Sequence, residues 1–287
     1  MVTCTVRDAL MWGRERLQAA GVDTAVLDTR VLLAHALNCE PALLYREPDF
    51  AVPPQVQAQF YGLVESRAQG TPVAYLTGQK EFYGLDFAVN RGVLIPRPET
   101  EMLVQRGLEL LAPAVAPRVV DVGTGSGALG VTVAKYRADA EVWAVDVSSA
   151  ALAVAKRNAT YHDVLTRMHF SQGDLLTPLP RILEGSVDLI LANLPYIPET
   201  QIVLLPREVR AEPSVALNGG VDGLDVYRRL IPAARAYLKP GGYLLMEIGP
   251  GQALPLFHIV HAEGFSGWHE YDLAGRERVV FACRTLE

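Results

Sequence analysis

The turn DVGTGSG at residues 121–127 has the composition of a ligand-binding loop. It follows the apolar run RVVDV and precedes an apolar pattern with helical spacing. Gly123, Gly125 and Gly127 carry no side chain that would keep a ligand from the backbone, and the start of the helix offers free N–H groups. The turn therefore predicts a ligand site between a strand and a helix.

Two aspartates end the next two predicted strands, Asp146 after EVWAV and Asp174 after MHFSQG. The carboxylate of Asp146 can accept hydrogen bonds from both hydroxyls of a ribose, and Asp174 is placed to reach an adenine amine. Because ligands bind outside the carboxyl ends of parallel strands, these residues predict an adenosine nucleoside site. Gly125, Gly127 and Gly130 also satisfy G-x-G-x-x-G, so the turn alone leaves a nicotinamide dinucleotide open beside S-adenosylmethionine.

The fourth predicted strand ends in a tip whose residues suit a planar amide or base. Pro195 biases Leu194 towards an extended backbone, so the Asn193 side-chain oxygen and a backbone carbonyl can converge on one NH₂ group. The ring of Tyr196 can stack on a flat substrate. This arrangement predicts methylation of a weakly nucleophilic nitrogen, catalysed by positioning and electrostatics.

Composition excludes several classes of protein. With 32 acidic and 26 basic residues, the net charge of −6 argues against a main role in coating nucleic acid, which needs a basic surface. The scattered Cys4, Cys39 and Cys283 predict neither a disulfide framework nor a zinc site, so we expect no metal and a reducing, cytoplasmic location. Charges near the N-terminus and the lack of a long apolar run predict neither a signal peptide nor a membrane span.

The first part of the chain has the pattern of a helical bundle. Thr5 and Asp8 resemble a helix start, and apolar residues then recur at helical spacing. In the second helix this spacing places Val26 on the apolar side. The helices are expected over about residues 5–20, 24–37 and 55–68.

A connector of different texture follows, over residues 76–98. Aromatic and β-branched residues around Gly84 predict a β-hairpin within residues 77–90. Two prolines flank Arg97 and exclude a helix interior there, so the next helix is expected to begin near Glu99.

Strands and helices alternate over much of residues 99–287. This alternation predicts an α/β fold with a doubly wound, mostly parallel, seven-stranded Rossmann-like sheet. The last two strands, 268–272 and 278–284, flank a turn at Gly275 and are expected to form an antiparallel hairpin. The other strands are expected at 118–123, 141–146, 168–174, 187–193 and 242–249, with helices at 127–137, 148–160 and 223–238.

Motifs along nearly the whole chain resemble those of the release-factor glutamine methyltransferases, the PrmC or HemK family. The connector and the AEPSVAL segment are specific to that family, since generic methyltransferases lack them. Leu194 departs from the pattern, which usually has proline there, and Leu175 stands where some relatives carry an aromatic ring. The matching segments are PVAYLTGQKEFYG (72–84), LIPRPETE (94–101), DVGTGSGALG (121–130), the Asn-x-Pro-Tyr tip, AEPSVALNGGVDGLDVYR (211–228) and GRERVV (275–280).

The resemblance implies a reaction and a set of site residues. The reaction is methyl transfer from S-adenosyl-L-methionine to the side-chain nitrogen N5 of the glutamine in the Gly-Gly-Gln motif of class I peptide-chain release factors. By resemblance, Asn193, Pro195 and Tyr196 are catalytic, and Leu194 and Arg97 join them in binding substrate. The residues expected to bind the cofactor are Gly123, Thr124, Gly125, Ser126 and Gly127 at its methionine end, Asp146 at the ribose, Asp174 and Leu175 at the adenine, and Asn193, Thr100 and Glu101 beside them.

The same resemblance assigns a role to each part of the chain. Residues 1–75 are expected to bind the release factor, residues 76–98 to form the hairpin connector, and residues 99–287 to form the S-adenosylmethionine-dependent methyltransferase domain. We expect a cytoplasmic monomer that contacts neither nucleic acid nor membrane directly.

The residues themselves leave other functions open. Methylation of a ribosomal-protein glutamine would differ in the partner of the helical bundle, whose surface the sequence does not reveal. An adenine-N6 DNA methyltransferase shares the type of tip, but residues 1–80 hold seven Lys/Arg against eight Asp/Glu. A nicotinamide oxidoreductase would leave residues 193–196 unexplained, and the intact Asn193 argues against a regulatory module without catalysis.

Overall fold

Helix α1 (Val6–Ala19) begins directly after Thr5, the residue that the sequence predicted as its start. The Thr5 hydroxyl accepts from the backbone N–H of Asp8, and the Asp8 carboxylate accepts from the N–H of Thr5. This reciprocal pair satisfies two N–H groups that the first turn would otherwise leave unpaired. The computed structural model describes residues 4–286, so residues 1–3 and 287 of the predicted outer segments lie outside the described residues.

The described residues divide into two units. The first takes in the chain up to Gln79 together with Pro206–Ala211, and the second holds Lys80–Leu205 and the chain from Glu212. In the first unit, buried side chains such as Leu17, Leu33 and Phe60 form the core. The helices around that core are α1, α2 (Ala25–Leu37), α3 (Leu43–Arg46), α4 (Pro54–Ala68) and α5 (Val73–Thr77).

Helix α2 buries a different face from the one that its apolar residues suggested. Val26 is 43 % exposed, so its predicted place on the apolar side was wrong. The buried face follows the 3.6-residue repeat that begins at Ala25 and takes in Asp28 and Thr29. Burial of the Asp28 carboxylate is tolerated because Arg67 of α4 donates to it, with Nε 2.7 Å from Oδ2.

Arg67 also joins the returning segment Pro206–Ala211 to the first unit. Its Nη2 lies 2.6 Å from Oε2 of Glu208, while its side chain is 8 % exposed. A buried guanidinium that is paired with two carboxylates avoids the large cost of an unpaired buried charge. The predicted segments 1–75, 76–98 and 99–287 do not include this returning segment in the first unit, whereas the structure does. The function assigned to each predicted segment stays a prediction.

The predicted hairpin lies in strands β1 (Gln79–Phe82) and β2 (Leu85–Ala88). Tyr83 and Gly84 between them have φ values of 53° and 74°, as the tight turn of a two-residue hairpin requires. After the connector, a single 3₁₀ turn at Pro98–Thr100 leads into helix α6 (Glu101–Leu111). The helix therefore begins two residues later than expected, because the prolines first impose the tighter turn.

The second unit contains the predicted seven-stranded sheet, with strand order β5-β4-β3-β6-β7-β9-β8. Neighbours from β5 to β7 are parallel, and β9 is antiparallel to both β7 and β8. The α/β fold class and the terminal antiparallel hairpin are thus confirmed. The strands are β3 (Arg118–Val122), β4 (Glu141–Asp146), β5 (Met168–Gln172), β6 (Val187–Ala192), β7 (Leu238–Glu247), β8 (Phe265–Tyr271) and β9 (Glu277–Arg284).

Helices cover both faces of this sheet because alternate side chains of each strand enter opposite cores. In β3, Val119 packs into one cluster and Val120 into the other. The chain order changes direction at β3, so the carboxyl ends of β3 and β6 border the crevice where such sheets bind ligands. The remaining helices are α7 (Ala128–Tyr136), α8 (Ser149–Tyr161), α9 (Glu199–Ile202), α10 (Arg207–Arg210, in the first unit), α11 (Asp225–Tyr237) and α12 (Ala253–Ala262). Within residues 4–286, no helix has the length and apolarity needed to cross a membrane.

Candidate active site

A cavity of about 430 Å³ lies in the second unit, at the carboxyl ends of the parallel strands. It brings together predicted site residues from five separate segments of the sequence. Gly127, Arg97, Glu101 and Tyr196 are not in its lining. The predicted residues that line it are Thr100, Gly123, Thr124, Gly125, Ser126, Asp146, Asp174, Leu175, Asn193, Leu194 and Pro195.

The glycine turn takes its shape from backbone conformations that other residues rarely adopt. Gly123, Gly125 and Gly127 have φ values of 69°, 55° and 84°. The N–H groups of Gly123 and Thr124 donate to the carbonyl of Val145 at 2.8 and 3.0 Å, which ties the turn to strand β4. The turn is therefore held in place independently of any ligand.

Asp121 supports this turn from below. It is 1 % exposed, and its Oδ2 accepts from Thr124 Oγ1 at 2.6 Å and from the N–H of Gly130 at 2.9 Å. Burial raises the pKa of Asp121 to about 6. A Cβ on Gly130 would lie 2.9 Å from the same oxygen. The third glycine of the G-x-G-x-x-G pattern thus has a packing cause, and it gives no support to a dinucleotide.

Asp146, the last residue of β4, uses both carboxylate oxygens to organise the cavity wall. Oδ2 accepts from the N–H of Gly125 and Oδ1 from the N–H of Ser148, each at 2.9 Å. A carboxylate oxygen can accept more than one hydrogen bond, so Asp146 is fixed in position and can still accept from a ligand hydroxyl.

Asp174 and Leu175 form the wall after strand β5. The Asp174 carboxylate pairs with Arg229 from α11, and more than half of each side chain is exposed. Leu175 is buried and has a φ of 51°, a conformation that few residues other than glycine adopt. The Asp174 carboxylate therefore already has a cationic partner at the cavity rim.

Asn193 is held by a chain of side-chain hydrogen bonds that begins on strand β7. Its Nδ2 donates to Thr100 Oγ1 at 3.0 Å, and Thr100 Oγ1 donates to Glu247 Oε2 at 2.6 Å. The Tyr196 hydroxyl donates to Glu247 Oε1 at 3.2 Å. Glu247 is 1 % exposed, and burial raises the pKa of its carboxyl group. Burial, followed by the charge of Glu247, likewise raises the pKa of Tyr196.

Leu194 has contacts that its sequence position did not reveal. Its N–H donates to the buried Tyr227 hydroxyl at 3.3 Å, and that hydroxyl donates to the backbone carbonyl of Glu247. The Leu194 side chain is buried, and its Cδ2 would lie 2.6 Å from a Cβ on Gly123. Leu194 therefore packs against the glycine turn.

Arg97 of the connector and Glu101 at the start of α6 point to other partners. Arg97 pairs with the buried carboxylate of Glu212, which also accepts from the N–H of Ile95 at 2.9 Å. Glu101 accepts from the N–H of Tyr83 at 3.0 Å, at the hairpin turn. The structure thus does not bring Arg97 and Glu101 into the cavity lining, whereas Thr100 lies in it.

Sequence reasoning missed Glu247, Tyr227, Glu212 and Arg229. Glu247 could have been found, because it is a lone acid at the end of the apolar run GYLLME, as Asp146 is after EVWAV. The other three follow no comparable pattern. Among the described residues, no group of three His, Cys, Asp or Glu side chains could hold a metal ion.

Comparisons with known proteins match both parts of the chain. A family model described as the PrmC N-terminal domain matches residues 8–78, and one described as a methyltransferase domain matches residues 115–266. A solved 16S rRNA methyltransferase of T. Thermophilus, in complex with AdoMet and guanosine, has a TM-score of 0.52 at 20 % identity. It covers 72 % of this chain and 49 % of that one, a likeness of fold alone.

Relatives of similar length extend the match over the whole chain. The release factor glutamine methyltransferase of Moorella thermoacetica is 42 % identical over 287 residues, covering 99 % of this chain and 100 % of the relative. The enzyme of the same name from Nitratidesulfovibrio vulgaris is 42 % identical, covering 98 % and 96 %. The chain belongs to the release factor glutamine methyltransferase family.

Proposed function

We propose that this chain methylates the side-chain nitrogen N5 of the glutamine in the Gly-Gly-Gln motif of class I peptide-chain release factors, with S-adenosyl-L-methionine as methyl donor. The observation that carries the proposal is the Asn193 amide, which lies on the wall of the same cavity as the glycine turn. Thr100 accepts from its Nδ2, so Oδ1 is the atom that it can offer to a substrate NH₂ group.

The residues around the cavity suit S-adenosylmethionine. A Cβ on Gly125 would meet no atom closer than 3.9 Å, so a ligand can approach the backbone of the turn closely there. We assign residues 123–127 to the methionine end, Asp146 to the ribose, and Asp174 with Leu175 to the adenine. The bound cofactor supplies an electrophilic methyl group on a sulfonium.

The tip residues prepare the amide nitrogen for attack. An amide lone pair is delocalised, and acceptance of both N–H bonds by Asn193 Oδ1 and a backbone carbonyl of the tip helps to localise it towards the methyl donor. We assign the Tyr196 ring to stacking on the substrate amide, and Pro195 restrains the backbone of the tip. When the cofactor is bound, the amide nitrogen would take the methyl group from the sulfonium and would then release one proton to water, so that no ionised base is needed beforehand.

We assign recognition of the release factor to residues 1–75, and we place the reaction in the cytoplasm. A monomer is sufficient, because residues of one chain line the cavity. The near balance of basic and acidic residues in residues 1–80 argues against a nucleic-acid clamp.

Incubation with methyl-labelled S-adenosylmethionine tests this function. Purified release factor should acquire label, and a release factor whose motif glutamine is replaced by alanine should not. Label on a ribosomal protein or on adenine in DNA, with none on the release factor, would contradict the proposal.

A further inference from the structure

Thr100 and Glu247 form a hydrogen-bond chain that ends at the Asn193 amide. Thr100 lies in the 3₁₀ turn Pro98–Thr100 and is 3 % exposed, and Glu247 ends strand β7 and is 1 % exposed. Neither side chain can exchange its partner for bulk water while it stays buried. The direction of each hydrogen bond is therefore decided by Glu247, Thr100 and Asn193 themselves.

Proton counting fixes that direction. A threonine hydroxyl has one proton, and an ionised carboxylate can only accept. The proton of Thr100 lies on the 2.6 Å bond to Glu247, so its oxygen presents lone pairs to Asn193. Asn193 must then turn its NH₂ group towards Thr100, because the flipped amide would place oxygen against oxygen with no proton between them.

We infer that Glu247 is a positioning residue for methyl transfer, which acts through Thr100 to turn the Asn193 oxygen towards the substrate amide. The inference deepens the proposed function and rests on it, since it assumes that Asn193 Oδ1 accepts from the reacting nitrogen. The same carboxylate accepts from the Tyr196 hydroxyl, so one buried charge organises both ends of the tip.

Burial is the largest influence on Glu247 and raises its pKa, while its hydrogen-bond partners act against that rise, towards the ionised form that this role requires. Glu247 accepts two hydroxyl hydrogen bonds, from Thr100 and Tyr196, and the positive charge of Arg278 lies near it. Burial and the charge of Glu99 act in the opposite sense. A protonated Glu247 could donate to Thr100, and Thr100 could then donate to Asn193 Oδ1, which would withdraw that oxygen from the substrate.

A pair of substitutions at Thr100 tests the chain directly. Thr100→Val keeps the shape and removes the hydroxyl, and we expect kcat for release factor to fall about 10²-fold. Thr100→Ser keeps the hydroxyl and should recover most of that loss. Cofactor affinity, measured by calorimetry on each variant, separates this effect from damage to the binding site. Near-normal kcat in Thr100→Val would overturn the inference.

Reversal of the chain gives a sharper test. Asn193→Asp places a second acceptor against Thr100 and should nearly abolish activity. Adding Glu247→Gln supplies an amide N–H that can donate to Thr100, and the Thr100 hydroxyl can then donate to the carboxylate introduced at position 193. The double variant should therefore exceed Asn193→Asp by about tenfold or more. If Glu247 had only a structural role, its substitution would add a second defect, and the double variant would be no more active than Asn193→Asp. That result would contradict the positioning role.

One readout does not depend on the substrate. In ¹⁵N-asparagine-labelled protein, the Asn193 side-chain NH₂ should exchange with solvent more slowly in the parent and Thr100→Ser than in Thr100→Val. Equal exchange in all three would overturn the inference. Failure of the parent to label release factor would instead overturn the proposed function, so the two failures are distinguishable.

Discussion

Asn193 is the residue whose removal should affect chemistry most specifically. Asn193→Ala removes the oxygen that we propose accepts from the target amide, and loss of one preorganised partner of a reacting group commonly lowers the rate by about 10²–10³. Because that contact orients the reacting nitrogen, the loss should appear mainly in kcat. Single-turnover methylation of release factor, with cofactor affinity measured in parallel, provides the check. An unchanged kcat would exclude the amide-clamp mechanism.

Leu194→Pro should be far milder, although position 194 makes more contacts than its backbone carbonyl. The change removes the N–H that donates to Tyr227 over a long 3.3 Å, while the Tyr227 hydroxyl keeps its bond to the Glu247 carbonyl. The residue also precedes a proline and is already biased to an extended backbone. We expect kcat/KM to fall less than about tenfold, or under roughly 1.4 kcal/mol. Loss of all activity in a folded variant would mean that the leucine side chain is itself required.

Asp146→Ala should weaken the cofactor much more than the substrate. In our assignment the ribose loses a charge-assisted acceptor worth roughly 1.5–3 kcal/mol. The N–H groups of Gly125 and Ser148 also lose the carboxylate that holds them. Titration calorimetry with S-adenosylmethionine measures the loss, and Asp146→Asn, which retains one oxygen, should fall between parent and alanine variant. Unchanged affinity would remove Asp146 from the site, and tighter binding of NADH would refute the class of enzyme.

Strand β3 gives a prediction at the scale of the element, through the buried Asp121 near its end. Its pKa of about 6 lies above the ordinary value of 3.8, so the folded chain holds this proton more tightly than the unfolded chain. Stability from this group is therefore lost as pH rises from about 4 to about 6. At about 1.36 kcal/mol for each pKa unit, the loss approaches roughly 3 kcal/mol at neutral pH.

In Asp121→Asn the side chain at position 121 cannot ionise, so the variant does not lose stability in this way as pH rises. The free energy of unfolding of the variant, relative to the parent, should therefore improve by up to about 3 kcal/mol between pH 4 and pH 8, as measured by urea unfolding. Asp222→Asn is a suitable control, because the Arg228 hydrogen bond lowers the pKa of Asp222 to about 2, below this range. Its effect should stay constant over the same range. A constant difference for Asp121→Asn would show that Asp121 is ionised throughout.

Elements were more predictable than the directions of their polar side chains. Apolar runs and the residues that end them located β3, β4 and β6 to within one residue, because burial on both faces leaves a continuous apolar signature. That signature says nothing about polar pairing, so the connector could be recognised while Arg97 turned to Glu212 and Glu101 to the hairpin.

Contacts between distant segments account for what could not be predicted of the site. Glu247 and Thr100 are separated by 147 positions, and no local pattern joins a buried acid on one strand to a hydroxyl in a connector. In the same way, the burial of Asp28 in helix α2 depends on Arg67, which follows 39 residues later. The glycine turn and Asp146, by contrast, combine into a site through the general rule that parallel strands end at one edge.

The whole molecule divides recognition from chemistry in our proposal, and a deletion tests that division. The cavity lining and both core clusters of the sheet lie in the second unit. Removal of residues 1–75 should leave cofactor affinity near that of the parent and lower kcat/KM for whole release factor, because binding energy from a distant contact is lost. A short Gly-Gly-Gln peptide should be methylated equally by both proteins.

The deletion also removes Arg67, the partner of Glu208, so Glu208→Gln in the truncated protein controls for an exposed, unpaired segment. Full activity of the truncated enzyme on whole release factor would mean that the first unit has another role. Loss of cofactor binding despite the Glu208→Gln change would mean that the two units do not fold independently.

Gly130 has a consequence for how this chain can change over evolution. A Cβ on Gly130 would lie only 2.9 Å from Asp121 Oδ2, so this position has no room for a side chain. The same oxygen accepts the hydrogen bond from the Gly130 N–H. The two positions therefore constrain each other. We expect a larger residue at 130 to be tolerated better after the acid at 121 has become smaller than before it, and Met168 Cε, 3.2 Å from the same Cβ, must also shift. A glycine can therefore match a cofactor-binding pattern although its cause is packing against a neighbouring carboxylate. In that case the pattern reflects an internal packing constraint and gives no information about the cofactor.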